Sequence, residues 1–285
     1  MATSQANPLA KQYLTNKELL KEIHLSKINY GSYTDPTYAY HDIILADLSK
    51  INIRTIADAK RARALKLSQA ALAEAQQVNP KTKLAEVEID YKKIQKTDVI
   101  FRIMTHDHIP LEPGRKKTPK SRGDHHAKCN FPPYQHFKFD DTDQLVCVGK
   151  SHWRGDIETG EFCLEHGQMT RKLAKSFMLL VERYSMRFNW RGYTYVDEMR
   201  SQALLQLSQI GLQFDESKSD NPFAYYTAAI DNSFTRILNI EKKNQTIRDD
   251  LLIEYGSNPS FTRQFEHEAM MRDERERIAN LKDFD

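Results

Sequence analysis

Cysteine is scarce in this chain, which has three cysteines in 285 residues and no Cys-x-x-Cys pair. So few cysteines argue against a disulfide scaffold, and we expect a reducing, cytoplasmic compartment. Long apolar runs are also missing, because none approaches the roughly 18 residues that a membrane-spanning helix needs. The first residues show no apolar stretch of the secretory type either. We therefore predict a protein without a membrane partner.

Motifs that carry chemistry are missing as well. The sequence contains no glycine-rich phosphate loop and no legible Ser/His/Asp set, although such sets converge only in a fold. We accordingly expect a binding protein that is not an enzyme and that needs no cofactor.

A strong excess of one charge is absent too. The chain has 42 Lys and Arg against 39 Asp and Glu, a net charge of +3, and a mean hydropathy of −0.67. This balance does not by itself indicate nucleic-acid binding, so any basic surface must be local. Hydrophobic residues make up 40% of the chain, which is enough for a core.

Composition divides the chain into four zones. Residues 1–45 hold an N-terminal helical segment, and residues 46–165 form an α+β insertion of unknown role with a Pro-rich basic loop. Residues 168–247 contain three amphipathic helices, and residues 248–285 contain a charged C-terminal helix and tail. We predict a mainly α fold in which a helical core at 168–247 carries the α+β insertion.

The insertion has a clear internal pattern. The Ala-rich stretch 55–77 lacks glycine and proline and predicts a helix. Short strands are expected within 87–104, 137–148 and 161–165, and the basic run 115–122 indicates an exposed loop.

Capping residues delimit the three helices of the third zone. Thr170 is a suitable N-cap for the first helix, and Gly211 is a suitable C-cap for the second. Asn221 and Pro222 begin the third helix, which we expect to end near Lys243.

The third helix shows two faces at helical spacing. One is an expected core face, made of Phe223, Thr227, Ile230, Phe234 and Ile237. The other is polar and has no acid, and it comprises Tyr225, Ala229, Asn232, Arg236, Asn239 and Lys243. Because residues 171–248 carry a local charge of +4, from 12 Lys and Arg against 8 Asp and Glu, the second face favours a DNA contact over an ordinary solvated face.

The second helix has more leucine than one buried stripe needs. Its core positions are Met199, Ala203 and Leu207, and further leucines lie beside them at Leu204, Leu205 and Leu212. The surplus indicates either a partner surface or burial on two sides.

Several motifs of the third zone resemble those of one family. The segment from Tyr225 to Arg236 resembles the promoter-reading helix of bacterial sigma factors of the sigma-70 superfamily. The similarity extends to the late-transcription sigma factors of T-even-type bacteriophages through five further motifs, which are Asn16–Leu20, Arg187–Thr194, Glu198–Met199, Phe214–Glu216 and Asn221–Tyr225. The insertion has no counterpart in this resemblance.

The resemblance implies a set of partners and contacts. They are host RNA polymerase core through its clamp coiled coil, promoter DNA, and a phage sliding clamp with a late co-activator, in the cytoplasm of the infected bacterial host. The DNA-binding residues implied are Tyr225, Tyr226, Asn232, Thr235, Arg236, Asn239, Lys242 and Lys243. The polymerase-binding residues implied are Asp197, Glu198, Arg200, Gln202, Leu205 and Gln206. The tail residues Leu281 and Phe284 would contact the sliding clamp.

One departure from the family pattern concerns promoter melting. Where principal sigma factors carry a Trp pair at the melted junction, this chain has Ala228 and Ala229. A methyl group cannot stack on a base.

Two other functions stay open from the sequence. Histidines and cysteines gather in the insertion, among them His125, His126 and Cys129. They would suit a structural zinc or a metal-dependent nuclease, but they show no complete ligand spacing. The second alternative is a polymerase-binding adaptor that does not read DNA.

Overall fold

The computed structural model describes residues 15–111, 114 and 129–282, and it is 56% helical, so the predicted mainly α class is confirmed. In these ranges the helices are α1 (Asn16–Ile28), α2 (Ile53–Val78), α3 (Arg171–Ser185), α4 (Val196–Ile210), α5 (Pro222–Glu254) and α6 (Phe261–Lys282). The strands are β1 (Gly31–Tyr33), β2 (Ile43–Leu45), β3 (Phe101–Met104), β4 (Tyr134–Phe139), β5 (Leu145–Ser151), β6 (Trp153–Arg154) and β7 (Glu161–Phe162).

Helices α1, α3, α4 and α5 pack around one apolar cluster. Their buried side chains recur every three or four residues, as an amphipathic helix requires. The most deeply buried members are Leu19, Ile23, Leu173, Val181, Met199, Ala203, Leu207, Tyr226, Ile230 and Phe234. Removing this surface from water is the main force that holds the helices together.

Helix α1 caps two later helices. Its own N-terminus has a capping box, in which Thr15 Oγ1 accepts the Glu18 N–H and Glu18 accepts the Thr15 N–H. Ser26 Oγ then accepts the N–H of Thr170, the N-cap of α3, at 3.0 Å. Asn16 Oδ1 accepts the Phe223 N–H in the first turn of α5 at 3.1 Å. These bonds tie the N-terminal segment to the helical core.

Three strands of the insertion, β3, β4 and β5, combine with β1 and β2 of the N-terminal segment in a five-stranded sheet of order β1-β5-β4-β3-β2. The segment 1–45, predicted as helical, therefore also supplies both edge strands of the sheet. Strands β2 and β3 are parallel, and the other pairs are antiparallel. Helix α2, which confirms the helix expected over 55–77, packs on the sheet around a second apolar cluster. That cluster contains Ala59, Ala64, Ile94, Val99, Phe101, Ile103 and Phe139.

Helix α5 is longer than the sequence pattern predicted. We expected it to end near Lys243, but it continues to Glu254. Residues 244–255 contain neither glycine nor proline, and the chain leaves the helix where Gly256 adopts a φ of +72°. A left-handed residue of this kind is a common helix terminator.

A short turn that is held by hydrogen bonds joins α5 to α6. Asp249 of α5 accepts both the N–H and the hydroxyl of Ser260, at 2.8 and 2.7 Å. Arg263 pairs with Asp250 at 2.8 Å. Beyond this joint, residues 265–277 of α6 are exposed. No helix in the described ranges combines the length and the apolar character that crossing a membrane demands.

Candidate nucleic-acid interface

The exposed face of α5 is set by the stripe that the helix buries. Tyr226, Ile230 and Phe234 are each 0% exposed and lock one side of the helix into the core. Asn221 caps the N-terminus by accepting the Ala224 N–H at 3.1 Å. The opposite side carries six exposed polar residues of the predicted DNA-binding set, which are Asn232, Thr235, Arg236, Asn239, Lys242 and Lys243.

This side of α5 forms a shallow groove of about 630 Å³ that is mostly open to solvent. Its lining residues are Asn232, Thr235, Arg236, Asn239, Ile240 and Lys243. The lining contains amide, hydroxyl, guanidinium and ammonium groups and no carboxylate. Amides bond adenine edges in a bidentate way, and guanidinium and ammonium groups bind phosphates. The groove can therefore hold a polyanion and can also contact base edges.

Tyr226 was predicted to contact DNA, and the structure corrects this prediction. Its ring is completely buried, its hydroxyl donates to the Gly211 carbonyl at 2.6 Å, and it packs edge-on against Phe177 at 4.8 Å. Burial also raises its pKa well above the ordinary value of a tyrosine. The ring fills the space between α3 and α5, so it cannot stack on a base.

The predicted faces of α5 were rotated by part of a turn. Phe223, an expected core residue, is 39% exposed, whereas Ala229, placed on the polar face, is 8% exposed. The signal for the true core stripe was the spacing of four residues between Tyr226 and Ile230. Tyr225 is half-buried, with its ring edge-on to Phe214 at 5.6 Å, and it borders the exposed face.

Helix α4 presents a smaller surface than its leucines suggested. Leu204 and Leu212 pack in the helical core, so only Leu205 of the surplus leucines is exposed, at 54%. Asp197 and Glu198 in the first turn are exposed too. Arg200 is half-buried, donating to Ser185 Oγ at 2.7 Å and to Asp197 at 2.9 Å. The remaining two members of the predicted polymerase-binding set, also half-buried, are Gln202 and Gln206.

Other predictions concern residues that the structure leaves undescribed. Phe284 and the side chain of Leu281 lie outside the described residues, as do the basic run 115–122 and the pair His125 and His126. Among the residues that are described, no group of three or more His, Cys, Asp or Glu is placed to hold a metal ion.

A buried polar network, which no sequence pattern predicted, joins the sheet to the helical core. Arg102 on β3 is 1% exposed, and its Nε donates to Nε2 of His136 on β4 at 3.0 Å. Because Nε2 accepts, the ring proton of neutral His136 lies on Nδ1, which donates to the Tyr38 carbonyl at 2.6 Å. Arg102 also lies 3.2 Å from Nδ1 of His24 on α1 and 3.8 Å from the centre of the Tyr134 ring.

A buried ion pair extends this network to the segment before α5. Lys27 of α1 lies 2.6 Å from Glu216, with their side chains 1% and 5% exposed. Burial lowers the pKa of Lys27 although Glu216 opposes it. Burial alone would raise the pKa of Glu216, but Lys27, His24 and Arg102 together hold it below its ordinary value. The 2.6 Å contact between the ammonium and the carboxylate is the geometry of a buried ion pair.

The low pKa values of the histidines in the network predict a loss of stability in mild acid. His41 belongs to this group as well, since its ring centre lies 4.8 Å from that of His24. Burial, followed by the charge of Arg102, lowers the pKa of His24 to about 3 and places the pKa values of His41 and His136 well below 6.5. Below pH 6.5 the unfolded chain therefore binds more protons than the folded chain, and stability that is complete above pH 6.5 is lost as the pH falls. We expect a loss of at most about 1.4 kcal/mol per histidine for each pH unit.

Thermal melting tests this expectation. The melting temperature should fall between about pH 7.5 and about pH 5.5, and the fall should be smaller in His24→Gln, which has one such site fewer. A melting temperature that is constant over this range would contradict the assignment of neutral imidazoles at these three positions.

Comparison with known proteins adds no relative. No protein-family model, no curated protein and no solved structure matches this chain.

Proposed function

We propose that this protein is a phage-encoded sigma factor for late transcription. It binds host RNA polymerase core, directs it to late promoters through a TATA-like upstream element, and helps to capture the unpaired non-template strand. The polymerase supplies the catalysis. In this proposal the protein acts in the cytoplasm of the infected host, where a sliding clamp and a late co-activator assist it.

The observation that carries the proposal is the exposed face of α5. Five polar residues line one open groove without an acid, and the groove lies on the helix whose sequence resembles the promoter-reading helix of sigma factors. Asn232 offers an amide to an adenine edge, and Arg236 and Lys243 offer positive charge to the phosphates on either side.

The second support is the position of α4. This helix packs against α5 in the helical core, yet its first turn exposes Asp197 and Glu198, and Leu205 projects from the same helix. An exposed leucine beside polar groups is a suitable anchor for a helical partner surface. In the proposal this surface meets the clamp coiled coil of the polymerase.

Leu205→Asp should weaken binding to polymerase core by about 10-fold or more, because it places a charge where an apolar anchor is expected to be buried. The matched control is Leu65→Asp, a leucine of α2 that is 50% exposed and lies outside the helical core. Binding is measured by the co-migration of labelled protein with core polymerase. If both variants lose binding to core polymerase equally, or if neither does, α4 is not part of the polymerase contact.

The function itself is tested by run-off transcription. Purified protein is mixed with bacterial core polymerase and a supercoiled plasmid that carries a TATA-like late promoter. We expect a discrete transcript that is absent without the protein. Stable binding to core without a transcript, even with sliding clamp and co-activator added, would instead establish an adaptor that does not read DNA. Chelator-sensitive cleavage of the plasmid would establish a nuclease.

A further inference from the structure

The turn between α3 and α4 presents an aromatic ring to solvent. Phe188 is 86% exposed, and two positions further along Trp190 is only 6% exposed. The buried indole packs edge-on against Phe234 of α5 at 5.5 Å. One aromatic residue of the turn therefore anchors it, and the other is directed outwards.

Backbone hydrogen bonds hold this turn in one conformation. The Arg187 carbonyl accepts the N–H groups of Trp190 and Arg191, both at 3.0 Å, and the Tyr184 carbonyl accepts the Arg187 N–H at 3.2 Å. The turn is thus a fixed support for the Phe188 ring, and an aromatic surface that is already fixed loses little conformational entropy when a ligand binds.

One guanidinium lies against the exposed ring, and a second lies at the start of the same turn. The guanidinium of Arg191 lies over Phe188, 5.3 Å from the ring centre, and that of Arg187 lies 4.2 Å from the centre of the Tyr184 ring. Residues 171–191 contain six Lys and Arg against the single acid Glu182. This concentration of charge favours a polyanionic ligand over an apolar partner.

The turn lies beside the polar face of α5. Tyr184, whose ring contacts Arg187, donates its hydroxyl to Asp231 of α5 at 2.5 Å. Asp231 directly precedes Asn232 and lies one helical turn before Thr235, two residues of the candidate DNA-binding face. A strand that leaves this face can therefore meet the turn without crossing the core.

We propose that Phe188, with Arg187 and Arg191, is a stacking platform for unpaired DNA. A base stacks on the ring face that Arg191 leaves open, and the two arginines hold the adjoining phosphates. This inference rests on the proposed function for its natural ligand, the non-template strand. It adds a far more exposed ring than α5 offers, where Ala228 and Ala229 cannot stack, Tyr226 is buried and Tyr225 is half-buried.

Fluorescence anisotropy with two probes tests the platform. One probe is a fluorescein-labelled oligothymidine, and the other is a labelled duplex that carries the TATA-like element. Phe188→Ala should bind the oligothymidine about 10-fold more weakly and the duplex equally well, while Phe188→Trp should bind both probes at least as well as the unaltered protein. The matched control is Met178→Ala, which removes a side chain of α3 that is 59% exposed.

Three results would overturn the platform. Phe188→Ala binds oligothymidine with normal affinity, or its affinity for both probes falls to the same extent. In the third result its affinity for polymerase core falls while DNA binding is unchanged, which would identify a protein contact. A melting temperature equal to that of the unaltered protein shows that the fold is intact. If run-off transcription fails while oligothymidine binding still depends on Phe188, the sigma-factor proposal is rejected and the platform is retained. The two proposals can therefore fail separately.

Discussion

Arg236→Ala should weaken binding to the TATA-like duplex by about 5- to 150-fold, which corresponds to a contact worth about 1–3 kcal/mol. Arg236 is exposed on α5 and lines the open groove, and its guanidinium is placed to hold a phosphate. A phosphate contact carries no sequence information, so the loss should be the same on altered promoters. The slope of log K against log salt should become shallower by about 1.

Asn232→Ala should give a different result at the same face. Its amide is suited to an adenine edge, so its loss should relax discrimination at one base pair and leave the salt slope unchanged. The pair of variants thus separates base reading from charge. In run-off transcription both should reduce the late transcript while binding to polymerase core is retained.

The matched control for this series is Arg54→Ala, an exposed arginine on α2 of the insertion. It should leave duplex binding and its salt slope unchanged. If Arg54→Ala weakens binding as much as Arg236→Ala, the protein binds DNA through its general charge, and the α5 face is not a specific reader.

Glu216→Gln should lower the free energy of unfolding by about 3–5 kcal/mol. The change leaves the Lys27 ammonium buried without its carboxylate, and a buried charge of this kind costs more than the pair itself contributes. Lys27 would keep neutral partners, which are the amide oxygen of the new side chain, the Phe214 carbonyl at 2.7 Å and the Phe131 ring, whose centre is 5.4 Å away. Urea denaturation followed by circular dichroism measures the effect.

Asp215→Asn is the matched control for the buried pair. Asp215 lies next to Glu216 and pairs with Lys218, whose side chain is 80% exposed, at 3.3 Å. An ion pair to such an exposed partner contributes about 0–1 kcal/mol, so this change should have little effect. The double variant Lys27→Met with Glu216→Leu should regain most of the lost stability. A single variant as stable as the original protein would show that the pair is solvated in solution.

Much of the helical core could be predicted from local patterns. Thr170 and Asn221 both cap helices as their residue types indicated, because capping depends on neighbours only three residues away. The buried stripe of α4 followed from its spacing for the same reason. Tyr226 was misplaced because a tyrosine suits both a core and a DNA surface, and only the packing of Phe177 against it decides between them.

The polar network could not be predicted from the sequence, for a different reason. Arg102 and His136 are 34 residues apart and become neighbours only through the antiparallel register of β3 and β4. A register is fixed by the whole sheet, and no local pattern around either residue indicates it. The exposed Phe188 had a weak signal, since its segment alternates arginine with aromatic residues.

The way in which α1 caps later helices has a consequence for synthesis on the ribosome. Hydrogen bonds join α1 to Thr170, Glu216 and Phe223, which lie 144, 189 and 207 residues further along the chain than their partners in α1. At about 5–20 residues per second, α1 leaves the ribosome about 10–40 s before its last partners are made. During that interval Leu19 and Ile23 lack most of the core that buries them in the folded protein, so the helical core closes late in translation.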